Sequence, residues 1–306
     1  MANRLALDPN PPISPPPLPS WARPKGETFE SLDAAFLVGA NLAALDARVR
    51  ANAPFDGVWR HRLALRAAVA HARLIGRREG EAELRDGFAL RGAGDAAAGP
   101  AGGLLKGWRE LVRRSTGLNP RVLHEVAASF GLNLPDALAD ILSAAEIAIR
   151  EDRLPLRSAA HVLAYVRRQH PRAEFLGFWI ADAVLAHRLG WPIPLPLLVS
   201  GFGRKNRPGD EFGQITIAYA RAAAAAVDLH GELARSAATL IEAAPRLRAK
   251  GAGAVVAALL DDDALSPAAR LGGMSDRGMR RLCDRLVALG AARELTGRAT
   301  FRLYGL

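Results

Sequence analysis

The sequence predicts a mainly α-helical protein: an all-helical body of about nine or ten helices, then a short C-terminal unit of three helices and a β-hairpin. Three observations predict it. From Thr28 to about Ala244, apolar residues recur at the 3.6-residue period of helices with one buried face. Strand-like alternation is scarce until the last fifteen residues. Half of the residues are hydrophobic, only 6% are aromatic and 24% are charged, a balance that suits packed helices and excludes disorder for most of the chain. At 306 residues there is room for one large domain or two medium ones, at roughly 100 to 200 residues each.

Residues 1–26 hold eight of the twenty prolines and nothing periodic. They read as a proline-rich disordered leader, because proline lacks the amide hydrogen and keeps its predecessor extended. The all-α body spans 27–245. Phe29, Leu32, Phe36, Leu42, Leu45 and Val49 form one inward stripe, and Trp59, Leu63, Ala67, Ala70 and Leu74 a second after Pro54. Arg91 to Gly103 reads as a glycine and alanine loop, followed by a helix with Leu104, Leu105, Trp108, Leu111 and Val112 inward. Asn119 and Pro120 are a cap and a first-turn proline ahead of Val122, Leu123, Val126 and Phe130. Stripes through Leu138, Ile141, Leu142 and Ala145, and through Val162, Leu163 and Val166, follow. Phe175 to Leu185 is apolar nearly all round, the pattern of a central buried helix. WPIPLPLLVS is not helical at its proline spacing, GFGRKNRPGD reads as a surface loop, and a long helix runs from about Phe212 to Ala244 before the boundary at Pro245.

The C-terminal unit, 246–306, opens with a helix carrying Ala252, Val255, Val256, Leu259 and Leu260 and ends it at the acidic run Asp261, Asp262, Asp263. Ser266 and Pro267 start a short second helix that Gly272 and Gly273 stop. Ser275 caps a third, with Met274 and Met279 as a hydrophobic staple and Met279, Leu282, Cys283, Leu286 and Val287 inward. ARELT and ATFRLY read as strands joined by Gly297 and Arg298, a two-residue loop with glycine first, as a type II′ turn requires. Three helices followed by a hairpin is the order of a winged helix-turn-helix.

The net charge of +10 points to a polyanion, and arginine supplies it: all but Lys25, Lys106, Lys205 and Lys250 of the 41 basic residues are arginine. From Arg246 onward eleven basic residues face six acidic ones, so the last fifth of the chain carries half of the excess. With Met279, Leu282 and Leu286 inward, Arg277, Arg280, Arg281 and Arg285 fall on or beside the open face of the third helix and match the potential of a DNA major groove. Ser275 stands at a helix start whose amides suit a phosphate. A two-residue loop sets Arg293 opposite Arg302, where like charges repel unless an anion lies near, so Arg293, Arg298 and Arg302 read as a phosphate grip. A solvated arginine face, or a wing that docks protein, explains the same residues.

LRAKGAGAVVAALLDDDALSP and SDRGMRRLCDRLVALGAARELTGRATFRLYGL resemble the end of domain-of-unknown-function family 1403, bacterial proteins often encoded on plasmids. VWRHRLALRAAVAHARLIGRREGEAELRD and FWIADAVLAHRLGWPIPLPLL also resemble that family, so the likeness spans nearly everything after the leader. It implies no activity and no catalytic residues. The closing LVALGAARELTGRATFRLYGL is similar to wings on other bacterial proteins, Fic-type nucleotidyl transferases among them. The Fic transfer loop, a histidine ahead of a Gly-Asn-Gly-Arg run, is missing, so nucleotide transfer is not expected.

Other enzyme signatures are missing as well. The seven histidines lack the i, i+4 spacing of a zinc-hydrolase helix and read as capped or surface residues, and neither a GxSxG elbow nor a Walker loop occurs. Glu79, Glu81, Glu83 and Asp86 read as salt-bridge partners of Arg78 and Arg85. The lone Cys283 reads as a core filler and excludes a disulfide framework. The amino end has no signal-peptide core, and the longest uncharged run, Leu189 to Gly203, is broken by three prolines, so no membrane span is expected. The expected protein is cytoplasmic, is no enzyme and needs no cofactor. It binds double-stranded DNA as a transcriptional regulator or plasmid-associated accessory factor, with a second copy or a protein partner on the helical body or leader. The alternative is an adaptor whose wing docks a protein.

Overall fold

The structure, a computed structural model, describes residues 16–26, 29–89, 99–113, 118–202, 211–298 and 300–306. It is mainly helical. Among the described residues the helices are α1 (Ser31–Ala51), α2 (Asp56–Leu74), α3 (Glu81–Ala89), α4 (Gly99–Arg113), α5 (Pro120–Ser129), α6 (Pro135–Arg150), α7 (Pro155–Gln169), α8 (Glu174–Leu189), α9 (Leu198–Gly201), α10 (Glu211–Ala243), α11 (Ala252–Asp261) and α12 (Asp276–Ala288). The ten up to Ala243 agree with the expected nine or ten. One small antiparallel sheet pairs β1 (Arg293–Glu294) with β2 (Tyr304–Gly305). No described helix is long and apolar enough to cross a membrane.

Two compact units form, one from Leu18–Arg50 and Leu63–Val227, the other including Ala51–Arg62 and Asp228–Leu306. Composition placed a boundary at Pro245. Contacts place it inside α10 instead, and the opening turns of α2 belong with the C-terminal residues.

In the larger unit α8 is the centre: Leu176 through Ala186 are all buried, as an all-round apolar run requires. Gly177 lets α7 approach, since a Cβ there would meet Leu163 Cδ1 and Val166 Cγ1 at 3.0 Å. Asp182 is the polar exception. Its carboxylate accepts the Leu197 amide at 2.9 Å and the Leu198 amide at 3.1 Å, capping the single turn of α9. Burial pushes this carboxyl up to about 8 against the pull of those two amides. The cap at Asn119 is as expected, its side chain accepting the Val122 amide at 3.0 Å.

On α1 the buried residues are Ala34, Leu37, Val38, Asn41, Leu45 and Arg48, whereas Leu32 is 80% and Phe36 61% exposed. This helix is apolar on nearly every face, so periodicity alone cannot choose the inward one. Asn41 marks it, donating to the Ala22 carbonyl at 2.8 Å and the Leu37 carbonyl at 2.7 Å. The end of the leader is packed accordingly: Ser20–Ala22 is a 3₁₀ turn, with Leu18 and Ala22 buried, while residues 1–15 lie outside the described residues. The glycine and alanine loop lies outside them over 91–98, but Gly99 to Gly103 are helical, opening α4. Gly103 is needed there because a Cβ would come within 2.7 Å of the Ser129 carbonyl oxygen. Residues 203–210 of the expected basic loop lie outside the described residues.

Candidate nucleic-acid interface

The C-terminal residues are built onto the start of α2. Gly57 admits the end of α11, since a Cβ there would stand 2.6 Å from the Asp261 backbone. His61 Nδ1 lies 3.6 Å from Asp262 Oδ1, and Arg62 Nε donates to Asp263 Oδ1, where Asp263 is almost fully buried and the Arg62 side chain mostly so. Arg62 Nη2 also donates to the Leu306 carbonyl at 3.4 Å. The acidic run is therefore a docking strip for α2 rather than a solvated helix end. Gly251 and Gly272 touch backbone to backbone, each at positive φ, and any Cβ between them would collide.

The expected second helix is two 3₁₀ turns, Pro267–Ala269 and Leu271–Gly273, separated by Arg270 at φ 48°. Ser266 does cap the first, accepting the Ala268 amide at 3.3 Å. Proline at the start and two glycines at the end leave too few residues for a hydrogen-bonded α-turn to propagate. Just before them, Leu265 forms an antiparallel bridge with Tyr304.

α12 stands close to expectation. Ser275 is its N-cap, accepting the Gly278 amide at 3.3 Å, and Met279, Leu282, Cys283 and Leu286 are buried. Val287, expected inward, is exposed, since it lies at the margin of that stripe. Arg277, Arg280, Arg281 and Arg285 are all exposed. At 100° per residue they occupy an arc of about 140° opposite the buried stripe. None of the three nearby acids pairs with them. Asp276 pairs with Arg270 at 3.3 Å, Asp284 takes Tyr304 and Arg302, and Glu294 takes the amides of Thr296 and Gly297 at 2.8 Å. Among the described residues the four arginines make no ion pair or side-chain hydrogen bond.

The hairpin differs from its expected form. Arg293 pairs with Gly305 and Glu294 with Tyr304, and Leu295 and Leu303 continue the ladder, so the connection is far longer than two residues. Glu294 explains this: by accepting the Thr296 and Gly297 amides it folds the chain into a side-chain-held turn in place of the tight one. Burial alone would raise the Glu294 carboxyl, but these bonds and the Arg302 charge hold it below its usual range. Arg293 and Arg302 therefore do not face each other. Arg293 donates to the Leu306 carbonyl at 2.9 Å, and Arg302 donates to the Arg298 carbonyl at 3.0 Å and lies 3.6 Å from Asp284. The repulsion inferred between them is absent, and with it the reason for a phosphate grip by that pair. Arg298 is exposed on the same connection, as is Phe301, held at φ 56°.

Sequence reasoning passed over several clusters. Tyr304 is 1% exposed, yet its hydroxyl reaches the surface of α12 to donate to Asp284 Oδ1 at 2.9 Å. Burial holds that hydroxyl above its ordinary range, so it stays a donor. Asp140 accepts from Tyr165 at 2.8 Å and pairs with His170 Nε2 at 2.6 Å, and the His170 bond keeps its carboxyl low. His61, His71 and His230 are buried, contrary to the capped or surface reading. His71 stacks on Phe175 with centroids 3.7 Å apart, and burial lowers it to about 3, so it is a neutral core group. Glu79 pairs with Arg77 rather than Arg78 and precedes α3, so it shares no helix face with Glu83, while Glu81 lies 3.6 Å from Arg85. Burial pushes the Cys283 thiol up to about 11, which leaves little thiolate near neutrality. No three His, Cys, Asp or Glu side chains among the described residues are grouped to hold a metal ion.

The model of one protein family, described as protein of unknown function (DUF1403), matches residues 11–306. No curated protein matches the chain.

Proposed function

The chain belongs to the DUF1403 family, whose description assigns no activity, and from its own residues we propose that it binds duplex DNA through a C-terminal winged helix-turn-helix. In this reading α11, the 3₁₀ turns and α12 are the three helical elements, α12 enters the major groove, and the β1–β2 connection is the wing. The observation that carries it is the arc of four exposed, unpaired arginines on α12, with every neighbouring acid engaged elsewhere. An isolated cationic face on a helix anchored by its opposite stripe is what a phosphate-lined groove attracts. Arg298 reaches phosphate from the wing, and Ser275 orients the helix start. A cytoplasmic regulator or plasmid-associated factor is the corresponding role.

The test is a duplex-binding titration over salt with the full chain. If each of the four arginines neutralises one phosphate, log K should fall against log salt with a slope of about −3.6, at roughly 0.9 per contact. A flat titration would sink the reading.

One observation favours a second reading, docking of a protein partner. Trp21 is 61% exposed and its ring lies 5.6 Å from that of Phe36, beside exposed Leu32. Exposed aromatic clusters of this kind mark protein-binding sites. Partners captured by the full chain should survive nuclease treatment and be lost on Phe36→Arg. Partners that vanish with nuclease speak for DNA alone.

A further inference from the structure

Asp284 lies within the arginine arc of α12, between Arg280 and Arg281 one turn before it and Arg285 after it. Its side chain is 55% exposed. On a surface built to meet phosphates a carboxylate weakens attraction, so its presence at the middle calls for a partner that is a donor. Its two oxygens differ. Oδ1 accepts the Tyr304 hydroxyl at 2.9 Å and lies 3.6 Å from Arg302 Nη1. Oδ2 accepts no hydrogen bond among the described residues. Tyr304 is itself fixed, buried on β2 and paired with both Glu294 and Leu265. One oxygen of this exposed carboxylate is thus tied to β2, and the other is left without a hydrogen bond.

We propose that Asp284 is a base-reading residue whose Oδ2 accepts a hydrogen bond from the exocyclic amino group of a cytosine in the major groove. This rests on the DNA-binding reading and goes beyond it by naming a base. Two bases offer amino donors there, cytosine at N4 and adenine at N6. Adenine sets the N7 acceptor beside its amino group, which suits an amide that both gives and takes but repels a carboxylate. Cytosine has no acceptor nitrogen on that edge. Its paired or neighbouring guanine presents O6 and N7, the match for a guanidinium fork, so Arg281 and Arg280 suit a G·C-rich site around it.

Selection from randomised duplexes with the full chain tests this. The wild type should enrich a cytosine at one fixed position. Asp284→Asn should lose the cytosine preference at that position, because an amide nitrogen in the place of Oδ2 cannot accept from N4, and leave the others unchanged, an outcome that a mere tether between α12 and β2 does not produce. A second measurement needs no variant: pyrimidin-2-one, which lacks the 4-amino group, replaces that cytosine in a duplex bound by the wild type. Affinity should fall between about 5-fold and 150-fold, the weight of one good base contact. If wild type and variant enrich the same base, or affinity is unchanged, Asp284 does not read a base although DNA binding stands. If the wild type enriches no duplex and shows no salt-dependent binding, the DNA reading itself has failed.

Discussion

Replacing Arg277 and Arg281 together with alanine should weaken duplex binding by about 2 to 6 kcal/mol, at roughly 1 to 3 kcal/mol for each side chain that contacts a base. The two stand one turn apart on the exposed face of α12, without partners among the described residues. Alanine is the best helix former, so the change removes charge and hydrogen-bond donors while leaving the helix intact. Fluorescence anisotropy across a salt series separates two roles. If they grip phosphate, affinity falls equally for every sequence and the salt slope shrinks by roughly 0.9 per residue. If they read bases, the loss is confined to the selected site, and lysine at the same positions fails to restore it because an ammonium lacks the planar fork. Unaltered affinity at all salt concentrations, with the helix still folded, would remove α12 from the interface.

The contrast between α12 and the hairpin shows what in this chain was legible from residues alone. α12 is a local object. Its cap, its stripe and its stop lie within sixteen residues, so Ser275, Met279, Leu282 and Gly290 together specify which face is open and hence where Arg277, Arg280, Arg281 and Arg285 point. The same holds for α8, whose all-round apolar character admits one environment, and for the Asn119 cap. The hairpin is not local in this sense. Its register depends on Glu294 folding back on Thr296 and Gly297, and on Leu265, almost thirty residues earlier, bridging to Tyr304. A side chain that competes for backbone amides leaves no trace in hydrophobic alternation. α1 failed for a third reason: with apolar residues on all sides, its inward face was decided by one hydrogen-bonded asparagine. The acidic run was the largest omission. Asp261 to Asp263 look like a solvated helix end until α2 is placed beside them, and only the tertiary structure brings His61 and Arg62 there.

That placement gives Arg62→Ala a large expected cost to folding, about 3 to 5 kcal/mol. Asp263 is 2% exposed, and Arg62 is an ion-pair partner of it, so alanine removes a charge that offsets the burial of that carboxylate. The Leu306 carbonyl loses a donor at the same time, although Arg293 still reaches it at 2.9 Å. Breaking one side of a buried pair costs far more than the pair contributes, because the desolvation of the remaining ion is no longer offset. Against a typical total of about 5 to 15 kcal/mol, such a loss is a large share of the stability of the unit that holds α11 and α12. Amide hydrogen exchange on those two helices reads that unit separately from α8 and its neighbours. Protection there should drop by about two to four orders of magnitude, since every 1.4 kcal/mol is tenfold. Replacing both partners, Arg62→Met with Asp263→Leu, should recover most of the protection, as apolar residues of similar volume substitute well for buried pairs. Protection unchanged in Arg62→Ala would mean that the acidic strip does not hold the C-terminal unit together. DNA binding lost by Arg62→Ala but regained by the double replacement would place α2 as a support of the interface rather than a part of it.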